Sequence, residues 1–97
     1  MNDWRLTPAA RADLDDIWDY TVKTWGADQA EAYVRALIAA CAGIATGATP
    51  TQDVAHVRPG YRKALSGRHV LYLRQSETGV EVVRILHQRM DVDRQSL

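Results

Sequence analysis

Three arginines stand inside apolar runs of β-forming residues, and they are the first places where this sequence could do chemistry. Arg62, Arg74 and Arg84 sit among Tyr61, Val70, Leu71, Tyr72, Val82, Val83 and Ile85, residue types that suit a half-buried pleated surface. A guanidinium in such a setting costs free energy unless it is paired or reaches water. Two readings follow. In one, the sheet has a dry face and a charged face, the latter presenting Arg62, Tyr72, Arg74 and Arg84 to a partner. In the other, the arginines pair locally with Glu77, Glu81 or helix aspartates. Three arginines on one half-covered sheet exceed structural need, which favours the partner-facing reading.

His87 is the residue best suited to acid–base work, since imidazole titrates near neutrality and this one lies near a strand end. No serine or cysteine nucleophile stands near it in sequence, so a packed or capping histidine is the simpler expectation. His56 and His69 are scattered from it, and the single cysteine, Cys41, falls on an apolar helix stripe. No metal, cofactor or catalytic residue is expected from such spacing. Gly43 and Gly47 lie near a helix end rather than after a strand, so they do not make a nucleotide-binding loop.

The elements that position these side chains are legible in the spacing. Trp4 and Leu6 alternate with polar neighbours, as in a short first strand. Thr7-Pro8 predicts a helix start, with the threonine oxygen capping and proline at the first helical position. Leu14, Ile17, Trp18, Thr21 and Trp25 form its buried stripe, and Gly26 ends it. Asp28 with Glu31 predicts a capping box for a second helix, whose stripe is Ala30, Tyr33, Leu37, Cys41 and Ile44. The short Trp25-Gly26-Ala27 link makes the two an antiparallel hairpin. Residues 51–60 read as a loop. Strands follow at about 61–65, 69–74 and 80–87, joined by turns too short for parallel crossovers.

The order is β-α-α-β-β-β, an α+β layer with the helical hairpin packed on one face of an antiparallel sheet. Alternation places Leu71, Leu73, Val83 and Ile85 under the helices, and Tyr72, Arg74, Arg84 and Arg62 on the open face.

Ninety-seven residues, read as one domain over 1–97, can bury about 60–70% of their unfolded surface. An apolar fraction of 46% and a charged fraction of 25% are those of an ordinary globular chain. The longest apolar run, at 36–42, is too short to span a bilayer, and no leader pattern opens the chain. A lone cysteine suits a reducing cytoplasm. The zero net charge hides an asymmetry. Residues 1–53 carry four basic and eight acidic groups, net −4, and residues 54–97 carry eight and four, net +4. That distribution suggests polar recognition by the second half rather than a broad nucleic-acid surface, with no direct specific DNA binding.

Several words taken together resemble ParE-type toxins of the RelE/ParE superfamily. They are Gly60-Tyr61-Arg62, Gly67-Arg68-His69, Tyr72, Val83-Arg84-Ile85-Leu86-His87 and Met90-Asp91. Ala9, Ala12-Asp13-Leu14, Ile17, Tyr20, Trp25-Gly26 and Ala32-Tyr33 match in the first half. The resemblance implies the toxin of a bacterial type II toxin–antitoxin operon, held inactive by a ParD-like antitoxin that wraps around it. It also implies a non-enzymatic poison of DNA gyrase that blocks replication and arrests growth. Arg62, Tyr72, Arg74 and Arg84 are then the expected antitoxin contacts. The segment 87–97 is the expected gyrase contact, through His87, Arg89, Met90, Asp91, Arg94 and Leu97.

Two alternatives stay open. One is a ribosome-dependent RNase of RelE type, in which Arg84 and His87 form an acid–base pair. The last tyrosine is Tyr72, however, and the tail lacks an aromatic while Asp91 and Asp93 would repel RNA phosphate. The other is a non-toxic relic that keeps only antitoxin binding.

Overall fold

The computed structural model describes residues 3–90, 92–95 and 97. Strand β1 (Asp3–Leu6) leads into helix α1 (Pro8–Trp25) and helix α2 (Ala27–Thr46). Strands β2 (Gln52–Asp53), β3 (Tyr61–Ser66), β4 (His69–Ser76) and β5 (Gly79–His87) follow, then a short 3-10 turn at Val92–Arg94. The sheet order is β1-β5-β4-β3-β2.

Antiparallel pairing runs from β2 through β5, but β1 lies parallel to β5. The sheet is therefore mixed. The helical hairpin carries the chain from β1 to β2 at the opposite edge, and the antiparallel run β2 to β5 brings it back beside β1. The stretch read as a loop also contributes β2, a two-residue edge strand pairing Gln52 with Lys63 and Asp53 with Arg62. Two residues are too few for alternation to register.

Thr7 caps α1 as its sequence predicts. Its hydroxyl oxygen accepts from the Ala10 amide at 3.1 Å and donates to the Val83 carbonyl at 2.8 Å, so one side chain ties helix to sheet. The second helix starts differently. Gly26, at φ 93°, closes α1 and opens α2, with no side-chain cap. A one-glycine link leaves no room for Asp28 outside the helix, so Asp28 lies in the first turn and Glu31 bonds Arg35 instead. Gly79 is fixed by proximity: a Cβ there would stand 1.9 Å from the Asp3 carbonyl oxygen. No helix is long and apolar enough to cross a membrane among the described residues.

Two apolar layers share the sheet. Ala10, Ile17, Leu37, Cys41, Ile44, Ala64, Leu71, Leu73, Val80, Val82 and Ile85 pack between helices and sheet. On the opposite face Val54, Tyr61, Val70, Tyr72, Val83 and Leu86 form a second cluster, covered by Val57, Val92 and Leu97. A register shift between Tyr72 and Leu73 sorts them, because Tyr72 faces Arg84 while Leu73 faces Val82. Val83 is the extra residue. Strict alternation puts Val83 under the helices, but the bulge gives that place to Val82 and turns Val83 to the far face.

Candidate functional site

The four residues expected on one open face occupy three different settings. Arg62 pairs across the sheet with Leu73, so it lies on the helix side of β3, near the β2 edge. Its Nε donates to Thr51 Oγ1 at 2.7 Å and its Nη2 to the Thr51 carbonyl at 3.0 Å, clamping the segment before β2. Tyr72 does lie on the face away from the helices, yet it is 7% exposed. Burial, reinforced by Asp93, raises its phenol above the ordinary range.

Arg74 remains half exposed beside that face, where two cations converge on one carboxylate. Its Nε and Nη2 donate to Glu81 Oε1 at 2.8 and 2.5 Å, while Arg5 donates to Oε2 at 2.9 Å through Nε and 2.8 Å through Nη2. Glu81 is 6% exposed. The hydrogen bond from Arg74, then that from Arg5, outweighs the cost of burial and holds its carboxyl below the usual glutamate range. The Tyr61 hydroxyl stands 3.4 Å from Arg74 Nη1.

Arg84 departs furthest from an open position. Its side chain is 18% exposed, and its Nε and Nη2 hold the two oxygens of Asp13 at 2.7 and 2.9 Å. The same carboxylate accepts the Ile85 amide at 2.9 Å. The cause is at the sheet edge. β1 pairs β5 only as far as Val82, so the outward amide beyond it needs another acceptor, and Asp13 of α1 supplies one. Local pairing therefore holds for Arg74 and Arg84, through Glu81 and a helix aspartate.

The strand ends gather a second group that the sequence does not announce. His69 and His87 are cross-strand partners with ring centroids 5.4 Å apart at 81°. Tyr33 of α2 lies 5.5 Å from the His69 ring, its hydroxyl 2.6 Å from His69 Nδ1. The Arg68 amide donates to that hydroxyl at 2.9 Å, and Gly67 makes room, since a Cβ there would meet the phenol at 2.8 Å. The Arg89 amide donates to His87 Nδ1 at 3.1 Å. Burial and the neighbouring His87 lower the His69 ring from its ordinary value, against the pull of Asp13. His87 is thus a hydrogen-bonded, half-buried ring at a strand end.

The tail after β5 folds back on the second apolar cluster. Val92 and Leu97 pack there, and Arg58 donates to the Leu97 carbonyl while its guanidinium sits 5.8 Å over the Tyr61 ring. Of the tail residues singled out from the sequence, Arg89, Met90 and Arg94 are exposed, while His87 and Leu97 are half-buried. Asp91 lies outside the described residues. Trp18 and Trp25, expected in the hairpin core, are 39% and 70% exposed. No further layer covers the outside of the hairpin. Cys41 is buried as expected, and burial pushes its thiol up to about 11, which removes it as a nucleophile. Among the described residues no three His, Cys, Asp or Glu side chains are grouped to hold a metal ion.

Comparison with known proteins assigns the whole arrangement. Residues 4–92 match the family described as the ParE toxin of the type II toxin–antitoxin system parDE. The chain is 49% identical over 90 residues to Toxin ParE1 of Mycobacterium tuberculosis, covering 92% of each. It is 43% identical over 91 residues to Toxin ParE1 of Caulobacter vibrioides, covering 94% of each. Toxin ParE of Escherichia coli is 37% identical over 93 residues, covering 95% of this chain and 90% of that one. A solved structure of the chromosomal ParDE system from P. aeruginosa superposes with TM-score 0.75 over 88% of this chain and 94% of that chain, at 22% identity, which bears on the fold alone. A chain of two helices on a five-stranded mixed sheet, whose sequence follows these toxins almost from end to end, belongs to the ParE toxin family of type II toxin–antitoxin systems.

Proposed function

We propose that this chain acts in the bacterial cytoplasm by binding and poisoning DNA gyrase, with no covalent step of its own, and that a ParD-like antitoxin neutralises it. The observation that carries this reading is family membership over residues 4–92. Gyrase contact is assigned to the tail, where Arg89, Met90 and Arg94 are exposed and His87, Asp91 and Leu97 flank them. An acidic antitoxin segment has Arg74 and Arg62 within reach at the sheet margins. Tyr72 becomes reachable when the tail lifts, and Arg84 when Asp13 is displaced. Charge-assisted bonds to guanidinium groups suit such a partner.

One observation favours a second reading, ribosome-dependent RNA cleavage: two imidazoles meet beside Arg68 and Arg89. A single comparison separates the two. Purified chain is assayed for inhibition of gyrase supercoiling and, in parallel, for mRNA cleavage on translating ribosomes. Supercoiling inhibition by the parent chain, with mRNA intact, is the expected outcome. Cleavage abolished by His87→Ala, with gyrase unaffected, replaces the proposal with the nuclease.

A further inference from the structure

The corner of the sheet where β4 begins and β5 ends carries four cationic or hydrogen-donating side chains that bind no carboxylate among the described residues. The pairing His69↔His87 is extended by the Gln88 amide, which donates to the Arg68 carbonyl at 2.9 Å. Arg68, His69, His87 and Arg89 therefore stand around one strand end, with Gln88 between the last two. The arginines are exposed and the histidines half-buried. Arg5, Arg35, Arg74 and Arg84 are each held by a carboxylate, whereas Arg68 and Arg89 form no ion pair among the described residues. The nearby acid, Asp13, has its oxygens committed to Arg84 and the Ile85 amide.

The rings are also oriented. The Tyr33 hydroxyl accepts the Arg68 amide, and its own hydrogen has no acceptor among the described residues except His69 Nδ1. His69 Nδ1 is therefore an acceptor, and its proton sits on Nε2. The Arg89 amide makes the same assignment for His87, because it needs the lone pair of Nδ1. Each ring is left with Nε2–H as a donor, and the flanking guanidiniums are donors only. A surface cluster of donors with surplus positive charge has the chemistry of an oxyanion receptor.

We infer that Arg68, His69, His87 and Arg89 form a binding site for a phosphate group, either free or in a nucleic-acid backbone. The guanidiniums supply charge and the imidazole N–H groups supply direction. Base edges play no part, so binding is independent of sequence. The inference does not depend on gyrase being the target, because binding is read in its absence.

The test titrates the full purified chain with inorganic phosphate and, separately, with a fluorescent DNA oligonucleotide in single-stranded and duplex forms. The ring resonances of His69 and His87 are followed by NMR, and oligonucleotide binding by anisotropy across salt concentrations. Saturable movement of both rings with phosphate and with oligonucleotide is expected. Arg68→Ala/Arg89→Ala should weaken oligonucleotide binding by about tenfold or more and flatten its salt dependence by about one unit of slope per arginine. Both positions are exposed, so circular dichroism should show an unchanged fold, and Arg35→Ala should bind as the parent does. Ring movement with phosphate but no oligonucleotide binding assigns the site to free phosphate. Rings unmoved by either probe, or a double variant that binds as well as the parent, would overturn the inference.

Discussion

The two faces of the sheet bury similar side chains under very different covers. On one, Leu71, Leu73, Val82 and Ile85 lie beneath two helices of 18 and 20 residues. On the other, Tyr61, Val70, Tyr72, Val83 and Leu86 lie beneath the 54–57 segment and two tail residues, Val92 and Leu97. Burial alone does not distinguish them, since Val82 is 0% and Leu86 2% exposed. What holds the cover does. The hairpin is fixed by interdigitated side chains, the Thr7 cap and the Asp13–Arg84–Ile85 clasp. In the tail, Val92 and Leu97 pack on the cluster and Arg58 bonds the Leu97 carbonyl. One face is closed by two long helices, and the other by a short loop and a strap from the tail.

The largest effect should come from the helix face. Leu37 is 1% exposed in the centre of α2. Leu37→Ala leaves a cavity the two layers cannot close, and should lower unfolding free energy by about 2–5 kcal/mol in denaturant titrations. A loss no greater than that from trimming the tail would break the contrast between the faces.

That contrast was legible in the sequence on one side only. The helix stripe Ala30, Leu37, Cys41 and Ile44 is buried at the positions its 3.6-residue period marks, because a helix keeps its phase over many turns. Strand alternation has no such protection. Counting back from the Ser76–Gly79 turn pairs His69 with Leu86, whereas the bulge at Val83 advances the register so that His69 meets His87. One inserted residue therefore hid the histidine pair and exchanged the faces of Val82 and Val83. It also leaves Arg84 where its guanidinium meets Asp13. The Asp13 clasp had no local signal, since it joins positions 71 and 72 residues apart. Nor did the covering of Tyr72, which needs the tail to fold back across two strands. Arg62 was misplaced for a simpler reason: its partner Leu73 faces the helices, and a cation at that edge can still reach Thr51.

A smaller effect should come from the strap. Replacing both Val92 and Leu97 by Ala removes apolar contacts that are only half-buried, which amounts to about 1–2 kcal/mol. The accompanying signature matters more than the size. Exposed Tyr72, Val83 and Leu86 should bind an apolar dye, and the tyrosine ring resonances should broaden while the methyl signals around Leu37 stay in place. Methyl shifts spreading through both clusters would mean the faces act as one core and the strap has no independence.

The smallest effect is one of pH, and it should touch the helix face alone. In the folded chain burial, and then His87, lower His69 below its ordinary 6.5, with Asp13 of α1 opposing them. Tyr33 of α2 holds its Nδ1. Below pH 6.5 the unfolded chain takes up a proton here that the folded chain refuses. Stability is therefore complete above 6.5, and falls as pH drops from there to the depressed folded value. The protonated ring can no longer accept the Tyr33 hydrogen, so the loss is felt between α2 and the sheet. Glu81 answers in a lower window, because its depressed carboxyl protonates only below the usual 4.5. Unfolding midpoints measured between about pH 7 and about pH 5.5 should thus decline by less than about 1 kcal/mol, and His69→Gln should flatten the decline. The strap should stay closed throughout, since the phenol beneath it, Tyr72, is displaced upward from 10.0. A decline that survives His69→Gln, or apolar dye binding that rises with acidity, would place the pH response under the strap instead.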